Sequence, residues 1–74
     1  MSLLHIFATN VKYFRCKQNL SQERLAELSS LHRTYISSLE RERRNISIEN
    51  IEHIANAFNI EPYLLFIDRE KDGE

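Results

Sequence analysis

Ser21-Gln22-Glu23-Arg24-Leu25-Ala26-Glu27-Leu28, followed after a short gap by Arg33-Thr34-Tyr35-Ile36-Ser37-Ser38-Leu39-Glu40-Arg41, is the stretch that decides the fold. Ser21 is a good helix N-cap, and Glu23 lies in the acidic first turn that the helix dipole favours. Leu25, Ala26 and Leu28 then predict a short helix over about 22–29, ended by Ser29 and Ser30. A second helix is expected from about Arg33 to Glu42, with Ile36 and Leu39 three apart on its apolar side. Two helices cross steeply over so short a turn only if a small residue sits where the backbones meet. Ala26 occupies that position, and Leu25, Leu31, Ile36 and Leu39 are spaced to fill the corner.

The flanking segments are helical as well. Leu4, Phe7, Val11 and Phe14 step by three and four, beside Leu3 and Ile6, and predict a first helix over about 2–17 that breaks at Asn19 and Leu20. Downstream, Arg43-Arg44-Asn45 is a polar link. Ser47 caps a fourth helix whose stripe is Ile48, Ile51, Ile54, Ala55 and Phe58, with Asn59 as its left-handed stop. Pro62 suits the first turn of a fifth helix, about 62–68. The charged tail, 69–74, is expected to fray. The reading is an all-α, five-helix single domain over 1–74 with a helix-turn-helix at about 22–42.

Composition narrows the function. The chain has 74 residues, one Gly (Gly73) and one Pro, which leaves no glycine-rich phosphate loop and too few turn residues for a multi-stranded β domain. The single cysteine, Cys16, excludes an internal disulfide framework and a cysteine-based zinc finger, and fits a reduced intracellular setting. No leader or membrane span is visible, so the expected location is the cytoplasm. The net charge of −1 argues against a nucleic-acid partner, but its distribution argues the other way. Residues 1–44 hold eight basic against four acidic side chains, a net of +4, and residues 45–74 hold two against seven, a net of −5. One basic working face and an ordinary mixed surface both fit that polarity.

The helix at 33–42 favours the working face. At about 100° per residue, Arg33, Ser37, Arg41, Thr34 and Ser38 fall in one arc of about 140°, opposite Ile36 and Leu39. Two guanidinium groups and three hydroxyls suit base edges in a major groove, Arg33 being shaped for guanine O6 and N7. The plain alternative is a solvated helix face. The turn before it and the basic run after it favour DNA.

With Leu20-Ser21-Gln22-Glu23-Arg24-Leu25-Ala26 and Arg33 to Arg41 in place, the sequence resembles the Cro/C1-type (Xre) helix-turn-helix family and the lambda-repressor-like fold. Arg33-Thr34-Tyr35-Ile36-Ser37, with Glu40-Arg41, Arg44-Asn45 and the stripe from Ile48 to Phe58, is most similar to the controller proteins of restriction–modification systems. The resemblance implies base contacts from Arg33, Thr34 and Ser38, with Tyr35 and Ser37 at the groove edge. It implies phosphate contacts from Gln22, Arg44, Asn45 and Ser47, and the neighbouring Arg41 and Arg43 belong to the same expected phosphate surface. It also implies a structural salt bridge between Arg15 and Glu40. The family often has Gly at the turn and after the Glu-Arg pair, where this chain has Ser30 and Glu42. A non-Gly residue in a left-handed turn costs about 1 kcal/mol, and a carboxylate beside phosphates is expected to point away.

A regulator of this kind implies a two-fold symmetric operator and a homodimer. Tyr63 to Ile67 are five consecutive apolar residues, more than a short helix can bury. The resemblance implies that Leu65 and Phe66 face inward, leaving Tyr63, Leu64 and Ile67 for a second copy, unless the first helix covers them. Glu23 and Glu27, one turn apart, are either a solvated face or a contact for another protein, and the resemblance to activating repressors of this fold implies RNA polymerase as that protein. Cys16 reads as a half-buried core residue. His5, His32 and His53 lie on three elements without metal-type spacing, so neither metal nor cofactor is implied. The serines have no His–Asp partner pattern, and no enzyme is expected. A prophage repressor or antitoxin of the same fold, and a helical interaction module without DNA binding, are the rival readings.

Overall fold

The computed structural model describes residues 1–72, with side chains through residue 70. Four α-helices run over Leu3–Lys17 (α1), Gln22–Ser29 (α2), Arg33–Glu40 (α3) and Ile48–Phe58 (α4), with no strand among the described residues. Three of the four starts are set by serine hydroxyls, whereas α3 begins after His32 with no side-chain cap. Ser2 accepts from the His5 amide at 3.1 Å, Ser21 from Arg24 at 2.9 Å and Ser47 from Asn50 at 3.1 Å, each satisfying a backbone donor that the helix leaves unpaired. Their stops are left-handed residues. Asn19, Ser30, Glu42 and Asn59 have φ of 58°, 61°, 63° and 59°. None is glycine, and Asn tolerates this geometry best among them. Glu42 ends α3 two residues earlier than expected: its amide bonds the Leu39 carbonyl at 2.9 Å and the Arg43 amide bonds that of Ser38 at 2.9 Å, closing the turn.

Each helix turns one face inward. Phe7, Val11 and Phe14 of α1, Leu25 and Ala26 of α2, Ile36 and Leu39 of α3, and Ile54, Ala55 and Phe58 of α4 form one core. Phe14 stacks tilted on Phe58 with ring centroids 5.8 Å apart, and Phe7 on Phe66 at 5.3 Å. Ala26 is buried at the crossing of α2 and α3, where a larger side chain would force the pair apart.

Three expectations change. The fifth helix over 62–68 is a 3₁₀ segment, Pro62–Phe66, with the Leu64 amide bonded to the Glu61 carbonyl at 3.1 Å. Five residues opened by a proline lack enough i to i−4 bonds to hold an α-helix. Leu65 is fully buried, and Phe66, half-buried, packs against the core beside Phe7, so both face inward. The tail does not fray at once: Arg69–Asp72 form a helical turn, while residues 73–74 lie outside the described residues. Asn10 explains that turn. Its side-chain amide, fully buried on α1, donates to the carbonyls of Ile6 (2.9 Å), Leu65 (3.0 Å) and Ile67 (2.8 Å), and its oxygen accepts from Arg69 Nε. The Arg69 guanidinium then lies 3.9 Å over the Tyr13 ring. Finally, Cys16, Leu28 and Ile48 are exposed rather than core residues.

Candidate nucleic-acid interface

The helix α3 is only eight residues long and cannot hold its shape alone. Ile36 and Leu39 are fully buried and fix one side of it. The other side carries Arg33 and Thr34, both exposed, and Ser37 and Ser38, both half-buried. Arg41 caps the helix C-terminus and is exposed. The polar arc predicted from spacing is thus one continuous outward face.

The angle of this face is set at the far end of α3. Arg15 Nε donates to Glu40 Oε2 at 2.7 Å, Arg15 Nη2 to Glu40 Oε1 at 3.1 Å, and Arg15 Nη1 to the Leu20 carbonyl at 2.9 Å. The side chain of Glu40 is only 5% exposed and that of Arg15 15%. The hydrogen bonds to Glu40 raise the Arg15 pKa above its ordinary value. Gln22 joins it, its Nε2 donating to Glu40 Oε1 at 3.1 Å. The side chain expected to meet a phosphate is therefore aimed by the same carboxylate, with a second amide hydrogen to spare. Spacing alone did not link Gln22 to Glu40. The signal was an amide in the first turn of α2 and a carboxylate at the end of α3, the two helices that the turn brings together.

Beyond α3 the basic run is organised as well. Arg41, Arg43, Arg44, Asn45 and Ser47 are all exposed. The Arg44 guanidinium stacks 4.9 Å over the Tyr35 ring, and the Tyr35 hydroxyl donates to the Asn45 carbonyl at 3.3 Å. Tyr35 thus braces the turn that carries the expected phosphate contacts. Ser47 uses its hydroxyl oxygen to cap α4, whose free N-terminal amides lie beside it. Glu42 turns aside, as the sequence led one to expect, and bonds His5.

The other expected sites are less uniform. Glu23 and Glu27 are exposed on α2, and Glu27 accepts from Arg24 at 2.9 Å. Tyr63 is 68% exposed, whereas Leu64 and Ile67 are half-buried, Leu64 against the core. The apolar run therefore has more cover within the chain than its length implied.

A short helix with a polar outward face, held at a corner by its predecessor and followed by a basic turn, is the DNA-reading unit of helix-turn-helix proteins. The profile of a family described as helix-turn-helix matches residues 11–65, and the chain belongs to that family. Several relatives within it are controllers. Control protein C.SmaI of Serratia marcescens is 49% identical over 59 residues, covering 80% of this chain and 70% of its own. The restriction–modification controller protein C.AhdI of Aeromonas hydrophila superposes with a TM-score of 0.82 at 44% identity, over 85% of this chain and 96% of that one. The controller C.Esp1396I, solved as a tetramer on its natural 35 base-pair operator, superposes with a TM-score of 0.82 at 35% identity, over 89% and 87%. The chain is a DNA-binding transcription regulator of the restriction–modification controller class, not an enzyme. Among the described residues no helix is long and apolar enough to cross a membrane.

The pair beneath the reading helix is open to a direct test. Arg15→Ala strands a largely buried carboxylate, and urea denaturation should show a loss of roughly 3–5 kcal/mol. An unchanged midpoint would mean that α3 is held by apolar packing alone.

Proposed function

We propose that the chain acts as a homodimer on a two-fold symmetric operator, activating its own operon when a first site fills and repressing it when a second fills. Arg33, Thr34 and Ser38 read bases, with Tyr35 and Ser37 at the groove edge. Gln22, Arg41, Arg43, Arg44, Asn45 and Ser47 meet phosphates. The observation that carries this reading is the outward face of α3, backed by the Arg15–Glu40–Gln22 network and flanked by exposed arginines. C.Esp1396I, similar over most of the chain, binds its operator as a tetramer, which supports paired sites. The cytoplasm is the expected location.

Reading and holding separate in a mobility-shift experiment. Arg33→Ala should cost about 1–3 kcal/mol on the true operator and relax base preference there, whereas Arg44→Ala should weaken operator and random DNA alike and flatten the salt dependence. Equal losses on both DNAs for Arg33→Ala would reduce it to a phosphate contact.

Tyr63, Leu64 and Ile67 are proposed as the dimer surface. One α3 reads only a few base pairs, and two on a shared axis reach half-sites about one helical turn apart. The exposed Tyr63 ring supports this. Sedimentation equilibrium at micromolar concentration should give twice the chain mass, falling to a monomer in the Leu64→Glu, Ile67→Glu variant; an unchanged mass in that variant rejects the surface.

Glu23 and Glu27 are proposed to touch RNA polymerase bound beside the operator, supported by their exposure next to the reading helix. In a promoter-reporter assay, Glu23→Lys with Glu27→Lys should abolish activation while leaving operator affinity in place. Parallel loss of both would leave no separate patch.

A further inference from the structure

His5 makes contacts that neither the core nor the expected DNA surface requires. Its Nδ1 lies 2.6 Å from Glu42 Oε2 and its Nε2 3.0 Å from Glu70 Oε2. A neutral imidazole has one N–H, so it would donate to one carboxylate and turn a lone pair toward the other. Both contacts are favourable together only when both nitrogens carry hydrogen. The two ring nitrogens point in divergent directions, and the carboxylates beside them share no common centre. The cluster is built for a proton and not for a metal ion, in keeping with the absence of a metal-competent group among the described residues.

The position of Glu42 gives this contact its consequence. Glu42 holds the left-handed turn between Arg41, which caps the reading helix, and Arg43-Arg44-Asn45. Its carboxylate therefore governs where that turn lies and how much negative charge stands beside it. Glu70 belongs to the closing turn that Asn10 and Arg69 anchor to α1.

We propose that His5 is a proton-operated clamp on the turn behind the reading helix: its imidazolium ties Glu42 and Glu70 to α1 and cancels a charge beside the DNA backbone, and loss of the proton releases Glu42 and weakens DNA binding. The second half rests on the DNA reading given above. Among the described residues, the charged groups facing His5 are Glu42 from the turn after α3 and Glu70 from the closing turn, and α1 itself carries no other charged side chain before Lys12. Hydrogen bonding to Glu42 first, then to Glu70, raises the His5 pKa above 6.5. Because the folded value is raised, the clamp contributes fully below 6.5 and is lost as the pH climbs through the raised value. The ring is two-fifths exposed, so the effect is a modulation and not a condition for folding.

His32 is exposed at the start of α3, so the pH profile of the wild type alone does not isolate the clamp, and two variants do. Binding is measured on a random-sequence duplex at fixed low salt, near pH 6 and near pH 8.5. The wild type should weaken by about two- to five-fold more than Glu42→Gln between the two. His5→Gln should bind near pH 6 about as weakly as the wild type does near pH 8.5, and Glu42→Gln should bind well at both. In the free protein, NMR titration of the His5 ring should give a pKa above 6.5 that falls in Glu42→Gln, with the amide signals of residues 43–45 following the same curve. A His5 titration that ignores Glu42→Gln, or amides that do not follow it, overturns the clamp whether or not DNA binds. A clamp that titrates as expected beside identical pH profiles of wild type and Glu42→Gln overturns its link to DNA. A wild type that binds no duplex at either pH overturns that link together with the DNA reading, while the free-protein titration still decides the clamp.

Discussion

The Glu40 carboxylate is the point on which the rest of the molecule turns. It accepts two hydrogen bonds from Arg15 and one from Gln22, and Arg15 spends its remaining reach on the Leu20 carbonyl. One side chain thereby joins the end of α1, the turn after it, the start of α2 and the end of α3. Apolar packing through Ile36 and Leu39 holds α3 against the core, but packing of two side chains leaves the helix free to roll. A forked guanidinium on a carboxylate has a direction as well as a strength. The net stabilisation from such a pair is modest once desolvation is counted, and its larger effect is to fix one angle of approach.

That constraint explains why the basic half of the chain works despite a net charge of −1. Arg15 is consumed internally, while Arg33, Arg41, Arg43 and Arg44 remain at the surface along and beyond α3. Tyr35 turns one of them into a fixed element by stacking beneath Arg44 and bonding the Asn45 carbonyl. Most of the acids of residues 45–74 lie on other elements, so they lower the net charge without cancelling this face. Glu42, an acid of the basic half itself, stands beside this face, and it is bound by His5.

Local signals were legible and distant ones were not. Ser21 and Ser47 mark the starts of α2 and α4, Asn59 marks the stop of α4, and the helices begin and end there because caps and left-handed stops are decided within a few residues. Periodicity also found the inward faces of all four helices. It overreached at Leu28 and Ile48, which keep the period but are exposed. Cys16 failed for the same reason. Asn10 was the largest omission: a polar residue in a helix reads as surface, and its partners lie more than fifty positions away. The same blindness made Arg69 look like part of a loose tail. In the interface, residue types and their common face were readable from spacing, but the role of Gln22 as part of the Glu40 network depended on the crossing of two helices.

The Asn10 amide has a consequence for how the chain comes to be made. It sits in α1, yet two of the carbonyls that satisfy it, and the guanidinium that satisfies its oxygen, belong to residues 65–69. A growing chain on the ribosome reaches those residues more than fifty positions after Asn10, at about 5–20 residues per second. Until then α1 carries a polar group that cannot be buried without loss. Closure around α1 is therefore deferred until residues 65–69 have been made, and chains cut short before them lack the means to close. A regulator whose dose matters gains from this: an incomplete copy stays unfolded and open to proteolysis instead of occupying DNA with half its contacts.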